Sequence, residues 1–471
     1  MSDNTRSVVD MNGVRYELVE LIGRGGQGAV YTVKGQRLAV KVLTGRNQHR
    51  QDLMRNQLTL VKRLPLQELC LAKPLEMLRP PHMGYVMELL TGMIPIKHLF
   101  TPSKGETPSV EWYFKLGGLK KRLLVLARAA QILAQLHSKG LAYSDPSPAN
   151  IFISADPKFV EVWFIDTDNL RYESAPGLLS NVCTPGYGAP ELVQGKSGVT
   201  SLTDVYAFAV IAFQTLTLAH PFIGDQVNDG DPELEEQAYA GQLPWIEDEK
   251  DDSNRATFGI PRKWVLSPRL KETFQRTFGL GRLAPSERPG AAELAERLFA
   301  AAESTIQCKN CGGSFYFNQE QCAWCDTDRA NFATAQFYIW APEIGTNGEI
   351  VTSTQRGHKR EVLVAHAAAT STSPLIITRR LAFDHIGPNS EEPVIEVSLE
   401  KNYLMIRSLD GKQYQLVSTS GNHRSIISEQ PQKIQFPTGS TRSVVPWRIH
   451  FGAKTCRHRV LGFEYWPERN A

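Results

Sequence analysis

Apolar residues recur along this chain with two different periods, and the change of period marks out its elements. After Gly28 come AVYTV, a Gly35-Gln36 turn and RLAVKVL, which alternate like two short strands of a hairpin. A helical pattern follows over residues 49–64, where Leu53, Leu60, Val61 and Leu64 mark an inward face and Gln57 falls on that same face. YVMELLTG, residues 85–92, reads as a strand running into an extended segment. LKKRLLVLARAAQILAQLHSKG, residues 119–140, repeats apolar residues at helical spacing and stops at Gly140, as helices often do. Two strands over 151–154 and 159–164 are joined by an Asp156-Pro157 turn. VYAFAVIAFQTLTLAHPFI, residues 205–223, approaches the length of a membrane span. Gln214, His220 and Pro221 interrupt it and Asp204 stands at its start, so a helix buried in a domain core is the expectation.

From residue 371 the pattern turns to short β-branched runs, among them PLIITRR, EPVIEVSLE, NYLMIRSL, KQYQLVST and WRIHFG, separated by turn signals such as LDGK and TSGN. That spacing predicts an all-β, sandwich-like domain over 371–471. Residues 331–370, with GTNGE and AAATSTSP, read as a connector. A chain of 471 residues exceeds what one core organises, and two or three domains are expected. With 42% hydrophobic and 21% charged residues the composition is globular, and a net charge of +3 argues for neither nucleic acid nor membrane as a partner. MSDNTRSVVD at the start has no apolar run of signal-peptide length, which points to the cytoplasm.

LIGRGGQGAVY, residues 21–31, carries Gly23, Gly25 and Gly28 in a G-x-G-x-x-G spacing that by itself also fits dinucleotide-binding turns. In those folds the third glycine opens a helix, and an acidic residue about 20 positions on takes the ribose. Here a strand follows instead, so the glycines sit at a strand-to-strand turn whose backbone N–H groups can lie over phosphates, with Lys41 reaching them from the second strand.

The run Gly23 to Val30 with LAVK, residues 38–41, resembles the amino-terminal lobe of a protein kinase. Later motifs appear in the family's order: the hinge-like YVMELLTG, LAYSDPSPANIFIS (141–154), IDTD (165–168), CTPGYGAPE (183–191) and SERPGAAELAERL (286–298). The resemblance covers residues 16–300 and implies an α+β, bilobal protein kinase-like fold, with an N-lobe over 16–90 and a C-lobe over 91–300, after an N-terminal extension of 1–15. It implies ATP and Mg2+ as cofactors. Gly23, Gly25 and Gly28 would cover the phosphates, Val30 and Ala39 would line the nucleotide site, and the backbone of Glu88 to Leu90 would meet adenine beside Met87. Lys41 would bind phosphate, Asp145 would take the acceptor's proton, and Asn150 with Asp166 would hold magnesium. Arg288 is suited to pair with Glu191.

Four positions depart from the family pattern. Gln57 stands where a glutamate on the helix would orient Lys41, unless Glu68 or Glu76 serves. Tyr143-Ser144 replaces His-Arg before Asp145, removing the arginine that binds a loop phosphate, so switching through phosphorylated Ser174, Ser180 or Thr184 is not expected. Ser147 replaces a lysine, and Thr167-Asp168 replaces Phe-Gly. These departures keep open an alternative to an active kinase, a pseudokinase-like nucleotide-binding scaffold.

Seven cysteines are present, and Cys308, Cys311, Cys322 and Cys325 form two C-x-x-C units with ten residues between. Paired knuckles of this kind fit a structural zinc ribbon over 301–330, its Zn2+ held by four thiolates, with a redox-active dithiol pair as the competing reading. The kinase–ribbon–β order resembles bacterial kinases found with a PP2C-type phosphatase and a von Willebrand A-type protein in tellurite-resistance-associated signalling systems. That resemblance implies those two proteins as partners beside a protein substrate acting as Ser/Thr acceptor.

Overall fold

The computed structural model describes residues 6–26, 28–44, 48–173, 183–344, 350–351, 362–387, 389–401, 403–435, 442–453 and 455–468. Ser174, Ser180 and the GTNGE segment lie outside them. The chain divides into two compact units, one of Met1–Gly117 with Lys121–Leu298, the other of Gly118–Lys120 with Phe299–Ala471.

The first unit opens with strands β1 (Ser7–Val9), β2 (Arg15–Gly25), β3 (Gly28–Val33) and β4 (Leu38–Leu43), helix α1 (Gln48–Arg63), and strands β5 (Glu76–Met77) and β6 (Gly84–Glu88). The strands form one antiparallel sheet in the order β1-β2-β3-β4-β6-β5. Within the expected extension of 1–15, Ser7–Val9 is the edge strand of this sheet. Buried Asp10 shapes the turn behind it by accepting from the N–H groups of Asn12 and Val14 and the Tyr16 hydroxyl, each at 2.9 Å.

Strand β4 is covered on both faces, which explains its nearly unbroken apolar run. Ala39 and Leu43 pack with Leu58, Tyr85 and Met87. Val40, with Leu38 and Val42, packs on the opposite side with Val8, Tyr16, Leu18 and Val33. The pleat places Lys41 between Ala39 and Leu43 on the first of these faces, where it is only 5% exposed.

In the remainder of this unit, helix Ser201–Thr217 is buried on nearly every side, as its all-round apolar pattern requires. Thr200 and Thr203 cap it reciprocally, each side chain accepting from the other's backbone N–H. Phe213 on this helix meets Phe274, Trp245 and Phe278 with ring centroids 5.3–6.1 Å apart. Among the described residues no helix is long and apolar enough to cross a membrane.

In the second unit, a hairpin of Thr305–Gln307 and Ser314–Tyr316 carries the first cysteine pair at its turn. Beyond it lie a six-stranded and a four-stranded antiparallel sheet, whose apolar side chains share one core. Within the expected connector of 331–370, Phe332–Trp340 and Val362–Thr370 are strands. Phe332–Trp340 pairs on one side with Val362–Thr370 and on the other with His458–Trp466, inside the larger sheet. The misreading has a physical cause: Ala333, Ala335, Ala367 and Ala369 have weak strand preference, yet all four are buried core residues where a larger side chain has no room.

Gly84 pairs with Val42 beside Lys41, with φ +146, and a Cβ there would lie 1.9 Å from the Lys41 carbonyl oxygen. Gly84→Ala is expected to cost about 1–3 kcal/mol in urea unfolding, because the backbone must move. Gly25→Ala, whose Cβ meets nothing within 4 Å, is expected to leave the same midpoint nearly unchanged.

Candidate active site

Four segments of the first unit converge below the sheet, and buried hydrogen bonds determine where each one goes. The loop after helix Gly118–His137 is held by Asp204, whose side chain is fully enclosed. Its carboxylate accepts the Tyr143 N–H at 2.6 Å and the Ser144 N–H at 2.9 Å, and lies 3.1 Å from Nε2 of His137. Ser144 has φ +86, a conformation that costs a non-glycine residue roughly 1–3 kcal/mol and that charge-assisted bonds of this kind offset.

The Tyr-Ser pair that departs from the family pattern has its own work. The Tyr143 hydroxyl donates to the Ile165 carbonyl, and the Ser144 hydroxyl donates to the Asn169 carbonyl at 2.7 Å. Both bonds tie this loop to the segment that carries Asp166. Ile151–Ser154 and Val162–Phe164 form a hairpin with Phe164 opposite Ile151, and the Ile165 N–H donates to the Asn150 carbonyl at 2.9 Å. Asn150 and Asp166 thus sit side by side at one end of that hairpin. The Asn150 side-chain nitrogen donates to the Asp145 carbonyl at 3.2 Å, which orients the amide.

Asp145 is met by the third segment. Thr184 donates to its carboxylate through its N–H at 3.0 Å and its hydroxyl at 2.9 Å. Burial raises the Asp145 carboxyl above its ordinary range, and these Thr184 bonds pull against that rise.

Lys41 pairs with both Asp166 and Asp168, the latter at 2.9 Å. Asp166 is in the left-handed region at φ +59, which turns the chain into a short helical turn over Thr167–Asn169. Asp168 is 1% exposed. Burial pushes its carboxyl up to about 6, against the pull of Lys41. Burial opposes the charge on Lys41, yet Asp168 and Asp166 together hold its ammonium above the ordinary value.

The expected orienting role of Gln57 is corrected by this arrangement. Gln57 is buried on α1 as its register predicts, but its amide donates to the Leu170 carbonyl, while the carboxylates beside Lys41 come from the Asp166–Asp168 turn. Glu76, one of the two alternatives, pairs with Lys62 at 2.6 Å. The only sequence signal for the Asp168 contact was the Asp-x-Asp spacing of IDTD.

Around these groups, Gly25 faces Gly28 across the β2–β3 turn and Gly23 faces Val30. A Cβ on Gly28 would come within 2.3 Å of the Val42 carbonyl oxygen, so this glycine permits β3 and β4 to approach. Ala39, Val30, Met87 and Leu89 pack in one cluster under the sheet. Strand β6 ends at Glu88, and the Leu89 N–H donates to the Arg37 carbonyl at 3.1 Å, just before Leu90.

Residues 16–300 match the protein kinase domain. The chain belongs to the protein kinase family. Similar kinases include the DNA damage-responsive serine/threonine-protein kinase RqkA of Deinococcus radiodurans, 27% identical over 223 residues, 45% of this chain and 31% of that one. Serine/threonine-protein kinase Pkn1 of Myxococcus xanthus is 29% identical over 225 residues, 45% of this chain and 30% of Pkn1. PknD of Chlamydia muridarum is 29% identical over 250 residues, 44% of this chain and 25% of PknD. The matches thus span less than a third of each relative's length.

In this kinase domain Arg288 and Glu191 anchor the segment after Thr184. The guanidinium makes two bonds to the carboxylate, at 2.7 and 2.8 Å, and donates to the carbonyls of Gly281 and Leu202. It also lies 4.8 Å from the Tyr206 ring centroid.

In the second unit, the sulfurs of Cys308, Cys311, Cys322 and Cys325 all lie within 4.8 Å of one another. Cys308 and Cys325 are 3.6 Å apart and Cys311 and Cys322 3.7 Å, too far for disulfides. Burial opposes ionisation of Cys325, but hydrogen bonds from Thr327, Cys311 and Asn310 outweigh it and bring its thiol down to about 6.

The enclosed Arg288–Glu191 pair should show the asymmetry of buried ions. Arg288→Ala is expected to cost about 3–5 kcal/mol, because it strands the Glu191 carboxylate. In a double-mutant cycle read by urea unfolding, adding Glu191→Ala should cost little further or recover part of the loss.

Proposed function

We propose that this protein is an ATP- and magnesium-dependent Ser/Thr protein kinase acting in a bacterial signalling system. The observation that carries this reading is the gathering of Lys41, Asp145, Asn150 and Asp166 around one end of the Ile151–Ser154 and Val162–Phe164 hairpin, below a glycine turn. Asp145 is the group that takes the proton from the acceptor hydroxyl, and Thr184 holds its carboxylate in place until an acceptor arrives. Lys41 binds the α and β phosphates. The backbone of Gly23 to Gly28 covers them, and the open space around Gly25 and Gly26 suits that close approach. Val30 and Ala39 form the apolar wall against the base, and the Glu88 to Leu90 backbone meets its edge.

The donor set fits magnesium, a hard cation that prefers oxygen ligands. The Asp166 carboxylate and the Asn150 amide oxygen would hold it, the Asn150 nitrogen being engaged elsewhere. When bound, the ion neutralises charge developing on the transferred phosphate. This chain's residues supply the rest: Lys41 orients the nucleotide, Asp145 accepts the proton, and Tyr143 and Ser144 lock the loop to the Asp166 turn.

The cysteine cluster is proposed to be a structural zinc ribbon. Four sulfurs around zinc, each bonded at about 2.3 Å, lie about 3.8 Å from one another, close to the 3.6 and 3.7 Å observed. Four thiolates leave no open position, so the metal holds the fold of the ribbon rather than acting in catalysis. Free thiols of this kind suit a reducing compartment, in keeping with a cytoplasmic site of action. The order kinase, ribbon, β-domain is the basis for proposing a PP2C-type phosphatase and a von Willebrand A-type protein as partners in addition to the protein substrate.

Transfer of labelled γ-phosphate from ATP with magnesium, to the protein itself and to generic protein acceptors, tests the kinase reading. Wild type is expected to incorporate label on Ser or Thr, with Asp145→Asn and Asp166→Asn reduced by about 100-fold or more. ATP binding without transfer would turn the reading to a nucleotide-binding scaffold. For the ribbon, metal analysis of the purified chain should find a single zinc per chain, lost on Cys322→Ser, with faster proteolysis between residues 305 and 329. A metal-free wild type with the same protease resistance would sink the zinc assignment.

A further inference from the structure

We infer that Asp168 is a positioning residue that takes over from helix α1 the task of orienting Lys41, so that lysine and magnesium ligand are set by one short turn of chain. The inference rests on the kinase reading and extends it. A lysine enclosed between Ala39 and Leu43 needs a fixed negative partner to stay charged and in one rotamer. Helix α1 offers Gln57 on its buried face, and that amide is committed to the Leu170 carbonyl. Asp168 reaches Lys41 at 2.9 Å from the Thr167–Asn169 turn. Thr167, in the same turn, donates to the Ala72 carbonyl at 3.2 Å, and the Asn169 carbonyl accepts from Ser144. The turn that carries Asp168 is therefore pinned on one side to the segment between α1 and β5 and on the other to the loop with Ser144.

Two aspartates contact one lysine, and their surroundings divide the work between them. The Asp166 side chain is 29% exposed and that of Asp168 1%. Asp166 is the one free to swing from Lys41 to a cation arriving with nucleotide, while Asp168 stays. The fully buried Tyr85 hydroxyl neighbours the Asp168 carboxylate, Tyr85 standing directly across the sheet from Lys41. The consequence is a lysine that is set whenever the Asp166 turn is formed, without a movement of α1 to bring in its partner.

The test compares wild type, Asp168→Asn, Asp168→Glu and Gln57→Ala in the full-length protein, measuring kcat and the binding of MgATP, MgADP and adenosine, with melting temperature as the check on folding. Lys41 touches phosphate, not base, so a positioning role predicts a selective pattern. Asp168→Asn should lower kcat by about 10–100-fold and weaken MgATP and MgADP by about tenfold, with adenosine unchanged. Asp168→Glu, which keeps the charge, should fall between wild type and Asn, and Gln57→Ala should lose much less than Asn. Nucleotide affinities and kcat within about twofold of wild type for Asp168→Asn would overturn the inference. So would equal weakening of adenosine and MgATP, the mark of a loosened cleft. Should the Asn variant not fold, the Glu variant decides, since loss of transfer and of MgATP binding as severe as in Lys41→Met would exclude a role for the charge alone. If wild type transfers no phosphate, the kinase reading fails and the binding comparison still judges Asp168. Failure of wild type to bind MgATP would overturn both.

Discussion

The carboxylate of Asp204 lies inside an apolar helix with no contact with water, and two backbone N–H groups converge on it. An isolated charge there would be prohibitively costly, so the loop from Tyr143 must come to it and Ser144 must adopt its left-handed conformation. The cluster around Lys41 is built outward from that constraint. Tyr143 and Ser144, once placed, hold the Ile165 and Asn169 carbonyls; those fix the turn with Asp166 and Asp168; and the two aspartates fix Lys41 on the sheet. Lys41, Asp166 and Asp168 thus inherit their geometry from the core helix Ser201–Thr217 through one continuous series of bonds.

This series gives the departures from the family pattern a physical sense. An arginine before Asp145 commonly awaits a phosphate, whereas Ser144 here spends its hydroxyl on a neighbouring carbonyl and is buried. Thr167-Asp168 in place of Phe-Gly puts a second carboxylate beside Lys41, matching the neutral Gln57 on α1. The substitutions compensate one another: a charge missing from one segment is supplied by another across the same small space.

The two units depend on different stabilising principles. The kinase domain relies on aromatic packing around Phe213 and on enclosed ion pairs such as Arg288 with Glu191. The second unit combines a small hairpin region, where the four thiols gather, with a two-sheet core lined by alanines. A short hairpin buries little apolar surface by itself, which is the physical ground for the proposed metal anchor.

Local elements were legible from the residues alone. The glycine turn, the strand lysine, the Asp145–Asn150 spacing, the helix over 205–217 and the paired cysteine knuckles each have a short-range physical signature, because turn geometry, amphipathic period and ligand spacing are properties of neighbouring residues. The long-range pairings were decided only by the fold. That Lys41 would find Asp168 instead of a partner on α1, that Thr184 would hold Asp145, and that Ala-rich segments would become strands of the larger sheet all depend on which surfaces meet. A side chain's charge partner and the volume left for it are set by residues distant in the chain, and no local pattern encodes a distance across a cleft.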